Sequence, residues 1–305
     1  MKQRILITGA NGFVGSFLCN ELKHEFDVFS STRTPKNTDD IYLDINNLAN
    51  IDSVFHSIKP DVVIHLAGVS SLEFAQKNPL LCITANVEGS KNLITASLKN
   101  QVKIFINFSS NKAVYPKNIY GYSKAIIETA LKVMPNANCN FISYRCGNVI
   151  GSPNSFLHQW LTMKKNGKTI QSSGGGAVRF FTTRADITKD VVQIIKHSSE
   201  LSNSVVTPKM KIAPIADFLL AFEKYCQVNA ERTEQRAVDN PIDYLISSDE
   251  AKYTQLINYD SRFFYVTGNT IRNVSAEAIT SNSIQEKLDN KELVLLIESV
   301  ESTIK

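Results

Sequence analysis

The chain opens on a short unbroken apolar run, Arg4-Ile-Leu-Ile-Thr8, which reads as a strand buried on both faces. The run breaks at Gly9-Ala-Asn-Gly12, and Phe13 to His24 follows with helical spacing. Further apolar runs lie at Phe26–Ser30, Asp61–Leu66, Val102–Ser109 and Phe141–Cys146. Helical stretches fall between them, near Leu48–Ile58, Ala75–Leu98 and Tyr120–Val133. This alternation predicts an α/β fold with a doubly wound parallel sheet. After about Gly151 the rhythm changes. Pro153, Gly167 and Ser172-Ser-Gly-Gly-Gly176 punctuate shorter elements, with helices expected at Asp186–His197, Pro214–Cys226 and near Asn290–Val300. The tail from about Asp239 reads as otherwise polar and irregular. Two domains are therefore expected: residues 1–150, and a smaller lobe, 151–305, set over the sheet's carboxyl edge. A segment at about 177–210 is expected to return to the first core.

Composition narrows the function classes. Of 305 residues, 43% are hydrophobic and 20% charged, an ordinary soluble balance. Lys+Arg 33 against Asp+Glu 29 gives a formal +4, and no dense Lys/Arg run interleaves with aromatics, so no nucleic-acid partner is expected. The five cysteines form no C-x-x-C pair and no Cys/His cluster with zinc spacing. They read as reduced thiols, with no metal site. Neither a signal peptide nor a long apolar span is visible, so a cytoplasmic protein without membrane insertion is expected.

Gly9, Gly12 and Gly15 have the spacing G-x-x-G-x-x-G between the first strand and the first helix. Gly9 permits the sharp exit from the strand, and Gly12 lets the backbone approach a pyrophosphate at the helix N-terminus. Gly15 lets helix and strand pack closely. A Rossmann-like dinucleotide site follows, with Asn11, Phe13 and Val14 in the same turn. At the end of the second strand, Ser30-Ser-Thr-Arg33 offers hydroxyls and a guanidinium where an acidic residue would select NAD. Ser31 and Arg33 therefore point to the 2′-phosphate of NADP(H), with NAD(H) the less favoured cofactor. Asp44 stands either beside the adenine or as a helix N-cap, with Ile45 next to it. Leu66, Ala67 and Gly68 end the fourth strand beside the cofactor, and Asn86 is grouped with them. His65 reads as a packed strand residue.

Tyr120 and Lys124 lie one helical turn apart on one face. The ammonium, beside a positively charged nicotinamide, is expected to favour the phenolate and lower the tyrosine pKa, so that it exchanges a proton with a sugar hydroxyl during hydride transfer. Ser109 and Ser110 end the preceding strand, and one hydroxyl is expected to hold the reacting oxygen.

Together these residues resemble the extended short-chain dehydrogenase/reductases, the NAD-dependent epimerase/dehydratase family, across essentially the whole chain. Ser109-Ser-Asn-Lys-Ala-Val-Tyr-Pro-Lys-Asn-Ile-Tyr-Gly-Tyr-Ser-Lys124 is similar to a segment of its UDP-N-acetylglucosamine 4,6-dehydratase branch. So are Arg145-Cys-Gly-Asn-Val-Ile-Gly-Ser152, Arg179-Phe-Phe-Thr182 and Tyr244-Leu-Ile-Ser-Ser-Asp-Glu-Ala251. The resemblance implies that Tyr120 and Lys124 are the catalytic pair, that Ser110 is the hydroxyl on the reacting oxygen, and that Lys112 transfers a proton around C5. It also implies that Asn148 and Arg179 contact the nucleotide diphosphate, and that the chain assembles as a homo-oligomer. Two departures stand out. Asn111 occupies the place of the aspartate that protonates the departing C6 hydroxyl in those dehydratases, and an amide cannot donate that proton at neutral pH. The glycine turn and the Ser70-Ser71 region resemble sugar epimerases and 4-ketosugar reductases, which places Ser70 at the substrate. The expected function is NADP(H)-dependent hydride transfer at C4 of a nucleotide-activated hexose, UDP-linked by resemblance, in surface polysaccharide biosynthesis. It would be a 4-keto-6-deoxysugar reductase or a 4-epimerase. The alternatives are a 4,6-dehydratase and, in another class, a catalytically silent nucleotide-binding scaffold.

Overall fold

The computed structural model describes residues 2–135, 138–153, 155–172, 176–233, 242–270, 278–283 and 286–304. The glycine-rich turn expected at 172–176 and the start of the tail at Asp239 lie largely outside them.

The first of two compact units comprises Met1–Cys146, Arg184–Lys209 and Ile246–Ala278. Its strands β1 (Arg4–Thr8), β2 (Asp27–Thr32), β3 (Ile41–Tyr42), β4 (Val62–His65), β5 (Ile104–Ser110) and β6 (Asn140–Cys146) pair in parallel in the order β6-β5-β4-β1-β2-β3. The near-continuous β-branched and aromatic residues of β4 and β5 match strands covered on both sides, and every residue in them is buried. Helices α1 (Phe13–Leu22), α2 (Leu48–Ile58), α3 (Leu72–Lys77), α4 (Pro79–Ile83), α5 (Gly89–Lys99) and α6 (Ile119–Val133) connect them. Leu6, Val63, Phe105 and Phe141 from four adjacent strands pack against Phe55 of α2, Leu93 of α5 and Leu131 of α6 to form the main core.

Three elements depart from the expected pattern. The stretch read as one helix over Ala75–Leu98 is broken into α3, α4, a π-helical turn at Thr84–Glu88, and α5. Pro79 cannot continue α3, because it lacks an N–H and excludes the helical conformation from Asn78. Ser204–Pro208 adds a further parallel strand beside β6. The tail read as irregular supplies an antiparallel hairpin, Thr254–Tyr259 with Arg262–Thr267, that extends the same sheet to nine strands. Asp260 and Ser261 turn that hairpin with positive φ, and neither is the glycine that would have announced it.

The second unit comprises Gly147–Thr183, Met210–Leu245 and Ile279–Lys305. A three-stranded sheet, Lys211–Pro214, Val178–Thr182 and Asn148–Val149, lies at its centre. Its core joins Trp160 of helix Phe156–Lys165, Phe218 and Phe222 of helix Ile215–Cys226, and Ile297 of helix Asn290–Glu301.

Candidate active site

The glycine turn is built for close approach. Gly9 has φ +72°, and a Cβ there would stand 2.8 Å from the Ala67 nitrogen. A Cβ on Gly15 would meet the Gly9 carbonyl at 2.3 Å, which fixes the first turn of α1 against the end of β1. Gly12 caps α1 with no side chain, so the first-turn N–H groups around Phe13 and Val14 remain directed outward at the positive end of the helix. The Ala10 N–H bonds the Ser31 carbonyl at 3.0 Å, and the Asn11 amide reaches the Thr34 carbonyl at 2.7 Å. The turn is thereby tied to the loop after β2.

Arg33 projects from that loop, exposed, and among the described residues its side chain has no hydrogen-bond or ion-pair partner. Ser31 is different. Its side chain is wholly buried and its hydroxyl donates to the Ile7 carbonyl at 2.9 Å, so the expected contact with a phosphate falls away. The alternation of β2 sends that hydroxyl into the sheet. Asp44 is half-buried and accepts from the Asn46 N–H at 3.0 Å in a local turn, while Asn47 caps α2. Ile45 is buried in the core.

Leu66 and Ala67 are half-buried after β4, whereas Gly68 and Ser70 are exposed. Asn86 lies within the π-helical turn and is 3% exposed. Its carbonyl oxygen accepts from the Val69 N–H at 2.7 Å, and its nitrogen donates to the Val69 carbonyl at 3.0 Å and the Ser123 hydroxyl at 3.0 Å. Both ends of the amide are spent on protein, so Asn86 holds the loop instead of contacting a cofactor, a correction to its expected role.

At the end of β5, Ser110 caps a short 3₁₀ turn over Asn111–Ala113. Its hydroxyl hydrogen-bonds Tyr120, which is buried near the start of α6. Lys124 donates to the Phe108 carbonyl at 2.8 Å and lies 5.9 Å from the Tyr120 ring centre. Ser110, Tyr120 and Lys124 are therefore brought together. Gly121 was not singled out in the sequence, yet a Cβ there would meet the Lys112 carbonyl at 2.4 Å. Only glycine lets the first turn of α6 seat against the 3₁₀ turn that carries Asn111 and Lys112.

Burial dominates the electrostatics of the Tyr120/Lys124 pair. Burial pushes the Tyr120 pKa well up, and the hydrogen bond with Ser110 offsets only part of that rise. Burial also pulls Lys124 down to about 8. Without a bound dinucleotide, burial thus disfavours the charged form of both side chains. Asn111 is 3% exposed, its oxygen accepting from Ser110 at 3.4 Å, and its buried side-chain nitrogen has no partner among the described residues. Ser109 is buried in the same strand end, and its hydroxyl also has none.

In the second unit, Asn148 donates to the Phe180 carbonyl at 3.0 Å and to Asp243 at 3.2 Å. The Arg179 Nε stands 3.8 Å from the same Asp243 carboxylate, which is nearly fully buried. The two expected diphosphate contacts share one anchor that the sequence did not point to. Among the described residues no helix is long and apolar enough to cross a membrane.

Several known proteins are similar to this chain. The capsular polysaccharide biosynthesis protein CapD of Staphylococcus aureus is 26% identical over 63% of the chain and 36% of its own length. A UDP-glucose 4-epimerase of Rickettsia canadensis is 28% identical over 66% of the chain and 64% of its own length. A UDP-N-acetylglucosamine 4,6-dehydratase (inverting) of Campylobacter jejuni is 29% identical over 74% of the chain and 67% of its own length. The chain thus spans less than two thirds of the first two. Among solved structures, Pen from Bacillus thuringiensis superposes with a TM-score of 0.84 at 22% identity, over 98% of this chain and 97% of that one. The NAD complex of UDP-glucose 4-epimerase from Thermus thermophilus gives 0.68 at 21% identity, over 78% and 88%. These likenesses establish the Rossmann-like α/β fold. The family model described as polysaccharide biosynthesis protein matches residues 20–258, and the chain belongs to that family of extended short-chain dehydrogenase/reductases.

Proposed function

We propose that this chain exchanges hydride at C4 of a nucleotide-activated hexose without loss of water, in surface polysaccharide biosynthesis, as a 4-ketosugar reductase or a C4 epimerase. The residues fit a nicotinamide dinucleotide. Gly9 and Gly15 let the turn pack directly on the backbone of Ala67 and of the β1 end, and α1 presents its positive end there. The unpartnered Arg33 favours NADP(H), although solved epimerases of the same fold are complexes with NAD. When bound, the dinucleotide supplies the hydride donor or acceptor.

The chain's own residues handle the oxygen and its proton. Ser110 holds the C4 oxygen, and Tyr120 moves the proton between its hydroxyl and that oxygen. Lys124 places a positive charge behind the phenol as it ionises. The observation that carries the reading is Asn111: a buried amide beside Ser110, where loss of water would need an acid. The second reading, 4,6-dehydration with Lys112 near C5, is supported by the similarity to the Campylobacter enzyme. UDP is the favoured nucleotide on the names of the relatives.

Purified protein incubated with NADPH and a UDP-linked 4-keto-6-deoxy-N-acetylhexosamine tests this, with UDP-N-acetylglucosamine plus NADP⁺ in parallel. Stoichiometric NADPH oxidation with a product heavier by two hydrogens supports the reductase, and an epimer of unchanged mass supports the epimerase. A product lighter by one water overturns both in favour of dehydration.

A further inference from the structure

A single connected set of buried and partly buried hydrogen bonds runs from the end of β1 to the Tyr120 carbonyl, and His65 sits in it. The Ala67 N–H donates to the Thr8 hydroxyl at 3.2 Å, and that hydroxyl meets His65 Nδ1 at 2.8 Å. His65 Nε2 meets the Ser90 hydroxyl at 2.9 Å, and Ser90 donates to the Asn86 carbonyl at 2.6 Å. The Asn86 side chain then grips Val69 through both backbone groups and donates to Ser123, whose hydroxyl donates to the Tyr120 carbonyl at 2.7 Å.

The proton count fixes the direction. Ser90 has one hydroxyl hydrogen and gives it to Asn86, so toward His65 it can only accept, and Nε2 must carry the proton. Nδ1 is then a bare lone pair, which takes the Thr8 hydrogen, while Thr8 accepts from Ala67. Every member has a partner only in that tautomer. Protonating Nδ1 would instead leave Nε2 a bare lone pair facing the Ser90 oxygen, whose one hydrogen goes to the Asn86 carbonyl. Burial, with Lys124 a smaller contributor, pushes the His65 pKa down to about 3, in agreement with a neutral ring.

We propose that His65 is a positioning residue for the dinucleotide loop, its neutral Nε2–H tautomer locking Ala67–Val69 to the glycine-turn strand and, through Asn86 and Ser123, to the start of the helix that carries Tyr120. This rests on the dinucleotide reading given above. Gly68, between the two locked residues, has φ +150°, and a Cβ there would stand 2.5 Å from the Asn86 oxygen, so the loop has little room to settle elsewhere. The imidazole touches no reacting atom. It acts by fixing backbone on both sides of the cofactor cradle.

Dinucleotide affinity and ring nitrogen signals test this on the intact chain. Thr8→Val keeps the shape of a fully buried side chain but removes the hydroxyl, and His65→Leu removes the relay itself. Each is expected to weaken NADP(H) or NAD(H) binding roughly tenfold, while Thr8→Ser, which keeps the hydroxyl, stays within about twofold of the natural chain. Nitrogen NMR of histidine-labelled protein should show His65 with Nε2 protonated and Nδ1 bare, unchanged between pH 8 and pH 5. Unaltered affinity in Thr8→Val and His65→Leu, with lowered melting temperature alone, would make the network purely structural and overturn the proposal. So would a proton on Nδ1. If the natural chain bound neither dinucleotide, the underlying reading would fall and this proposal with it. Should His65→Leu not fold, Thr8→Val set against Thr8→Ser decides.

Discussion

Arg145 grips Glu128 through two parallel hydrogen bonds, Nε to Oε1 at 3.0 Å and Nη2 to Oε2 at 2.6 Å, and both side chains are almost wholly buried. The same guanidinium takes Glu250 at 3.0 and 2.7 Å. One cation on β6 thus joins α6, the helix that carries Tyr120 and Lys124, to the short helix Ser248–Ala251, whose capping box also uses Glu250. Removing one member of such a buried set leaves uncompensated charge, at a cost of about 3–5 kcal/mol. Arg145→Ala is therefore expected to lower unfolding free energy by roughly that amount in urea titrations at neutral pH. A loss below about 1 kcal/mol would mean that water or repacking compensates the carboxylates.

Glu250 gives this set a pH signature. Burial raises its pKa, but the Arg145 charge and hydrogen bonds outweigh burial and hold it down to about 2, against an ordinary 4.5. The depressed value means that its contribution is complete above about pH 4.5 and is lost as pH falls toward about 2. Linkage over that interval amounts to about 3 kcal/mol. Unfolding free energies measured at pH 6, 4 and 3 should fall in the natural chain and fall less in Glu250→Gln. Parallel acid profiles for the two proteins would contradict the assignment.

The parts of this molecule that sequence alone reveals are those governed by local spacing. The glycine turn, α2 over Leu48–Ile58 and the Tyr120/Lys124 pair are each set by period or by neighbours within one turn. What escaped depends on partners distant along the chain. Arg145 appears in the sequence as part of a motif, but its role comes from Glu128 and Glu250, which lie 17 and 105 residues away. Ser31 looked like a phosphate ligand because its residue type was right, and the facing of β2 turned it inward. The Arg262–Thr267 strand joins the main sheet by pairing with Ser204–Pro208, some sixty residues earlier, and no turn glycine marks its hairpin.

The proposed preference for NADP(H) rests on a single exposed side chain. Arg33 stands after β2 with no protein partner among the described residues, so its charge is available to a 2′-phosphate. Arg33→Asp is expected to weaken NADP(H) roughly ten- to hundredfold and to leave NAD(H) within about threefold, the range for losing a hydrogen-bonded charge. Direct binding titrations of both dinucleotides check it. Equal effects on the two would remove the 2′-phosphate argument.

Tyr120 and Lys124 should separate chemistry from binding. Tyr120→Phe keeps the buried ring but removes the hydroxyl bonded to Ser110, so turnover is expected to fall by roughly 10²–10⁴-fold with dinucleotide affinity nearly unchanged. Lys124, brought down to about 8 by burial, should titrate near that value in NMR of labelled lysines, well below the surface lysines. A Tyr120→Phe protein with full turnover would end the acid/base assignment. An unshifted Lys124 signal would show the pocket to be wetter than its packing implies.

The sharpest test of the reaction lies at Asn111. Its side chain is 3% exposed, its oxygen engages Ser110, and its nitrogen has no partner among the described residues. Asn111→Asp is nearly isosteric, and the new carboxyl group would be buried where its charged form is poorly solvated, so its pKa should rise. A carboxylic acid kept protonated near neutral pH is the proton donor that water loss requires, and such donors contribute roughly 10²–10⁴-fold. Incubated with UDP-N-acetylglucosamine and NADP⁺, the Asn111→Asp protein is expected to form a product lighter by one water, and the natural chain none. Water loss by the natural chain would show that the amide does not forbid dehydration, and would turn the reading toward Lys112 or a bound water as the acid. Absence of the product from both proteins, with C4 chemistry intact in each, would place the block on dehydration elsewhere in the sugar pocket than at residue 111.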